Sequence, residues 1–162
     1  MELKIRKMQA KDIKQVQQVA KISWNTTYNG IIPIEVQENF LSSAYSDEMM
    51  QTRLERSFIF VAEVEGDVVG FANFSSVKEG GKVELAAIYL DPQFQGKGIG
   101  TGLLEQGIKD IEGIKEIYLN VEKENQSGRT FYKAKGFEVL NEFDDEFDGH
   151  ILKTVRMILK VS

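Results

Sequence analysis

The chain has 162 residues, 42% hydrophobic and 28% charged, a composition ordinary for a soluble globular protein and the basis for expecting one domain over 1–162. It holds no cysteine and one histidine, His150, which excludes a disulfide framework, a thiol nucleophile and a thiolate or histidine metal cluster, so no metal is expected. The net charge of −5 speaks against nucleic-acid binding and suits a cationic small molecule; short apolar runs and the start Met1-Glu2-Leu3-Lys4-Ile5-Arg6 speak against a membrane span or signal peptide, and a cytoplasmic location is expected.

Alternation of Leu3 and Ile5 predicts a short first strand. Ile13, Val16, Val19, Ala20 and Trp24 then recur at helical spacing, with Asp12 as the expected cap. Asn29-Gly30-Ile31-Ile32-Pro33 breaks that helix, and two more are predicted over about 34–41 and 47–55, the second behind Ser46 as N-cap. The period then changes to two. Strands are predicted over 58–64 and 68–74, joined by the hairpin signal Glu65-Gly66-Asp67, and Gly80-Gly81 turns the chain into a third strand over 82–90. On that strand, alternation places Glu84, Ala86, Ile88 and Leu90 on one face and Val83, Leu85, Ala87 and Tyr89 on the other. A helix starts near Gly98, a strand follows over 115–122, and a short helix over 126–135 ends at Gly136, which takes positive φ at no steric cost. Two last strands, about 137–142 and 152–160, are joined by what reads as an acidic loop, with five carboxylates among the seven residues Glu142 to Asp148.

Between the third strand of the hairpin series and its helix lies Gln95-Gly96-Lys97-Gly98-Ile99-Gly100. Alternating glycines at a helix start let backbone amides converge where unpaired donors and the helix dipole favour an anion, so a phosphorylated ligand is expected there. A dinucleotide fingerprint is excluded, because Thr101 and Leu103 stand where its last glycine belongs, and no Walker sequence occurs.

In this setting Gln-x-x-Gly-x-Gly resembles the pyrophosphate loop of the GCN5-related N-acetyltransferases, the GNAT family, which hold acetyl-coenzyme A. Glu84 to Pro92 resembles that family's central strand, and Asn125 to Phe137 resembles its second cofactor segment, N-x-x-[small]-x-x-F-Y-x-x-x-G-F, with Gly128 where alanine is usual. The resemblance implies an α/β fold: a mixed sheet of about seven strands flanked by four to five helices. In the family the fourth strand bulges and parts from the fifth, so Ile88, Tyr89 and Leu90 are expected to offer main-chain groups to the pantetheine arm. Gln95, Gly96, Lys97, Gly98, Ile99, Gly100 and Thr101 are expected to hold the pyrophosphate, Lys97 as a point charge. Asn125 is expected both to contact the cofactor and to cap its helix.

Glu84 matches the catalytic glutamate of the histone-acetylating branch and is the expected general base, a role that apolar neighbours on the strand would favour. Solvation on the sheet edge, or binding the acceptor amine without taking its proton, is the competing role. Tyr132 is expected to contact the cofactor and to protonate the leaving thiolate, with a core aromatic beside Phe131 as the rival reading. Trp24 to Pro33 resembles the W-x-x-x-Y-x-G-[IL]-[IL]-P segment of small bacterial acetyltransferases, which places Trp24 and Tyr28, with Glu84, at the acceptor; packing in the core is the rival reading. The implied activity is direct transfer from acetyl-coenzyme A to a primary amine. Polyamines rank first as acceptors, from the acidic charge and the similarity to bacterial spermidine/spermine acetyltransferases. Amines of N-terminal peptides, amino acids and aminoglycosides stay open, as do a non-catalytic acyl-coenzyme A sensor and a homodimer.

Overall fold

The structure, a computed structural model, describes residues 2–161. The period-two segments become β1 (Leu3–Lys7), β2 (Phe58–Val64), β3 (Asp67–Phe74), β4 (Lys82–Leu90), β5 (Glu116–Glu122), β6 (Glu138–Phe147) and β7 (His150–Lys160). The helical segments become α1 (Ile13–Tyr28), α2 (Ile34–Ala44), α3 (Asp47–Arg56), α4 (Ile99–Asp110) and α5 (Gln126–Ala134). The strands form one sheet in the order β1-β2-β3-β4-β5-β7-β6, antiparallel throughout except where β4 meets β5.

Helices cover both faces, which explains why β3 is buried from Val68 to Phe74 rather than alternating. On one face Phe60, Phe74, Leu85, Val155 and Met157 pack with Ile99 and Leu103 of α4, and Tyr132 of α5 lies against this cluster. On the other, Val61, Phe71 and Ala87 pack with Val16 and Val19 of α1 and Met50 of α3. Among the described residues no helix is long and apolar enough to cross a membrane.

Three details of the chain differ from simple periodicity. Asn73 faces Ala87 and Phe74 faces Leu85 across β3 and β4, so Ala86 is an extra residue, a bulge. One inserted residue reverses the alternation. Val83 and Leu85 before it and Ile88 and Leu90 after it all pack toward α4, whereas Ala87 and Tyr89 pack toward α1. Glu84 therefore shares the α1 face with Ala87 and Tyr89, not a face with Ile88 and Leu90 as strict alternation predicts. Second, Asp12 stands at the start of α1 without capping it. Its buried carboxylate accepts from both Nη atoms of Arg6, at 2.7 and 3.0 Å, and from the Gln9 amide. Third, the acidic run is not a loop. It continues β6 as far as Phe147 and turns at Asp148-Gly149, both at positive φ, directly into β7. Lys153 meets Asp144 and Lys123 meets Glu142, each at 2.8 Å, which offsets part of the repulsion that a run of carboxylates brings.

Candidate active site

After pairing at Lys82, Val83 and Glu84, β4 separates from β5, and from Leu85 onward its edge on that side has no strand partner. The parting opens a cleft of about 550 Å³. Leu85 to Leu90 line it along β4, Asn120 and Val121 along β5, and Trp24 and Tyr28 from α1. The loop before α4 closes one end, and Asn125, Phe131 and Tyr132 face it from the α5 segment.

The loop is shaped by Gly96 and Gly98, at φ 76° and 80°, a region that costs an L-residue strain and a glycine none. Gly98 is the N-cap of α4, and the first helical bond runs from the Gly102 amide to the Gly98 carbonyl at 3.0 Å. The amides of Ile99, Gly100 and Thr101 consequently lack a helical acceptor, and these residues border the cleft. Free donors at the positive end of a helix suit a pyrophosphate. Lys97 does not border the cleft; the basic side chain that does is Lys135, whose Nζ lies 5.8 Å from the Phe131 ring.

Across from the loop, Asn125 caps α5, its Oδ1 accepting from the Gly128 amide at 3.0 Å. A Cβ on residue 128 would sit 2.7 Å from Asn125 Nδ2, which accounts for glycine at a position where a better helix former would otherwise be expected. Tyr132 projects from the same helix between Phe131 and Phe137, with ring centroids 5.4 and 5.6 Å away. Burial pushes its phenol above the ordinary tyrosine range, so it keeps its proton at neutral pH and can donate it. Among the described residues its hydroxyl has no hydrogen-bond partner.

Toward α1 the lining changes from main chain to side chain. Trp24 and Tyr28 lie 4.6 Å apart by ring centroid, and Trp24 stacks on Phe40 of α2 at 4.4 Å. Phe147, at the end of β6, joins the same group, 4.8 Å from Phe40. The Trp24 indole donates to the Tyr89 hydroxyl at 2.8 Å. Core packing and cleft lining are thus not alternatives for Trp24 and Tyr28; both residues do both. Burial also raises the Tyr28 and Tyr89 phenols.

Glu84 lies at the last paired position before the strands part, and it does not border the cleft. Its surroundings are not the apolar set expected from its strand neighbours, because Val83 and Leu85 point to the other face. It pairs instead with Arg156 of β7, whose Nη1 also donates to Asn120 Oδ1 at 3.0 Å and whose guanidinium lies over the Tyr118 ring at 5.0 Å. Sequence reading did not find Arg156, since nothing local marks a residue that is 72 positions from its partner. The structure gathers Trp24, Tyr28, Ile88, Tyr89, Leu90, Gln95, Gly96, Gly98, Ile99, Gly100, Thr101, Asn125 and Tyr132 around one cleft and leaves Lys97 and Glu84 off its walls.

Residues 17–137 match the acetyltransferase (GNAT) family. Over 147 residues the chain is 33% identical to a spermidine N(1)-acetyltransferase of Thermoplasma acidophilum, covering 86% of this chain and 90% of that protein. An uncharacterized N-acetyltransferase of Bacillus subtilis is 34% identical over 157 residues, 93% of this chain and 89% of the other. Among solved structures, the PaiA N-acetyltransferase of T. acidophilum in complex with coenzyme A superposes with a TM-score of 0.86 at 29% identity, over 99% of both chains. The mixed seven-stranded sheet with helices on both faces is the fold that the resemblance implies.

Proposed function

Because the chain belongs to the acetyltransferase (GNAT) family, as an acetyl-coenzyme A dependent N-acetyltransferase, we propose that it transfers the acetyl group directly to a primary amine of a small polycation such as a polyamine. One observation carries the reading: a single cleft joins free amides and an open strand edge at one end to aromatic rings at the other. The names of the relatives support a polyamine acceptor, and so does the net charge of −5.

The amides of Ile99, Gly100 and Thr101, on the curvature set by Gly96 and Gly98, hold the pyrophosphate. The open edge of β4 at Ile88, Tyr89 and Leu90 pairs with the pantetheine arm as another strand would. Asn125, held by its cap bond, borders the same arm. Bound in this way, acetyl-coenzyme A supplies a thioester carbon open to attack by an amine. An alkylammonium of pKa near ~10 must first lose a proton at pH 7, a cost of about 4 kcal/mol. Glu84 takes that proton, directly or through water, and the incoming ammonium competes with Arg156 for its carboxylate. Tyr132 returns a proton to the departing thiolate. Trp24 and Tyr28 offer ring faces to the acceptor's positive charge. With no cysteine in the chain, no acetyl-thiol enzyme intermediate is available and transfer is direct.

Release of free thiol from acetyl-coenzyme A, followed with a panel of amines, tests the reading. Spermidine is expected to accelerate release more than peptide N-termini, amino acids or aminoglycosides do. Tight binding of acetyl-coenzyme A with no amine accelerating release would instead make the protein an acyl-coenzyme A sensor.

A further inference from the structure

We propose that Lys135 reads the ribose phosphate of coenzyme A and so makes the protein selective for coenzyme A over dephospho-coenzyme A, which lacks that group; this rests on the cofactor reading above. Lys135 directly follows the last residue of α5, and its amide bonds back to the carbonyls of Phe131 and Tyr132, each at 3.1 Å. The backbone that carries the side chain is thus fixed by the helix end. Among the described residues that line the cofactor cleft, Lys135 is the only one with a charged side chain.

An aromatic ring sets where that charge stands. A Cβ on residue 100 would lie 3.2 Å from Phe131 Cζ, so the Phe131 ring rests on the first turn of α4, beside the amides of Ile99, Gly100 and Thr101. The half-buried Lys135 holds its ammonium 5.8 Å from the centre of the same ring, near the outer limit of a cation–π contact. Among the described residues no carboxylate forms an ion pair with it. The other cations of this region serve elsewhere: Arg129 donates to the Lys123 carbonyl at 3.0 Å, and Lys97, Arg129 and Lys133 do not border the cleft.

A partly desolvated ammonium without a carboxylate favours an anion from the ligand. The pyrophosphate already meets the free amides of α4, and the pantetheine arm that runs from it along β4 is uncharged. What remains on the coenzyme is the phosphate on its ribose, on the opposite side of the pyrophosphate from that arm. An ammonium one ring away from the amides suits this separate phosphate, to which a lysine offers a mobile point charge. A purely structural role for Lys135 would reside in its methylene stem, which packs along Phe131 and which methionine also supplies. Lys135→Met therefore removes the charge and keeps most of the packing.

Calorimetric titration of the wild type, Lys135→Met and Lys135→Arg with coenzyme A and with dephospho-coenzyme A tests the proposal. The wild type is expected to bind coenzyme A about tenfold more tightly than the dephospho form. In Lys135→Met the Kd for coenzyme A is expected to rise about tenfold while that for the dephospho form stays within about twofold, and Lys135→Arg, which keeps the charge, is expected to keep most of the preference. Equal binding of the two molecules by the wild type overturns this proposal alone, as does a Kd for coenzyme A that Lys135→Met leaves unchanged. A parallel rise for both molecules in Lys135→Met also overturns it, by placing Lys135 on the pyrophosphate or making it a support for α5. An arginine variant as indifferent to the ribose phosphate as the methionine variant removes charge as the cause and overturns it too. A wild type that binds neither molecule overturns the cofactor reading and this inference together.

Discussion

At the loop end of the cleft the groups facing a ligand are the amides of Ile99, Gly100 and Thr101 and the open edge of β4, whereas at the α1 end they are the rings of Trp24 and Tyr28, with the Glu84–Arg156 pair nearby. The first set belongs to the main chain and depends on side chains only where glycine must be glycine. The second depends on five elements meeting, since Trp24, Phe40, Tyr89, Phe147 and Arg156 come from α1, α2, β4, β6 and β7. An end built from backbone can serve one unchanging cofactor, while an end built from side chains can be re-cut for different acceptors without moving the sheet. Substitutions should therefore separate cleanly: loop changes act on the cofactor, changes on the α1 face act on the acceptor.

The largest effect is expected from Glu84→Gln. Its kcat should fall about a hundredfold at neutral pH, with a smaller change in acceptor KM. The loss should shrink as pH rises toward the amine's own pKa near ~10, because the acceptor then arrives without its proton. Activity equal to wild type across pH would remove Glu84 as the base. Gly98→Val comes next. A β-branched residue at φ 80° is strained by about 1–2 kcal/mol, so the KM for acetyl-coenzyme A should rise roughly tenfold and the acceptor KM should not move. A rise in acceptor KM instead would break the division between the two ends.

A smaller effect, reaching both ends, appears in alkaline unfolding. Tyr28, Tyr89 and Tyr132 have phenols raised by burial, so the folded chain keeps protons that the unfolded chain releases. Their contribution is complete below an unfolded tyrosine pKa of about 10 and is lost as pH climbs above it, by at most ~1.4 kcal/mol per pH unit for each phenol. Urea melts between pH 8 and 11 should show this slope, and Tyr28→Phe or Tyr132→Phe should each reduce it by one proton. A slope untouched by both substitutions would mean that neither phenol is shielded from solvent.

What was legible in the sequence follows the same division. The loop 95–101 and the helix from Gln126 are local features, in which spacing, cap and glycine stand within a few residues, and the structure has both where they were expected. The bulge at Ala86 was not legible, because one extra residue leaves no trace in a strand already rich in small and apolar residues, yet it decides which face carries Glu84. The β6–β7 hairpin was misread although Asp148-Gly149 is a strong turn signal. Five nearby carboxylates suggested a solvated loop, and the lysines that offset two of them, Lys123 and Lys153, come from outside the run. Arg156 and the aromatic group around Trp24 exist only in three dimensions.

Isothermal titration calorimetry of the protein with acetyl-coenzyme A and with free coenzyme A tests the central claim most directly. If the amides before α4 and the parted strands form the grip, both molecules bind at one site per chain, and the acetylated form in addition loses its acetyl group when an amine is supplied. No heat of association with either would contradict the account.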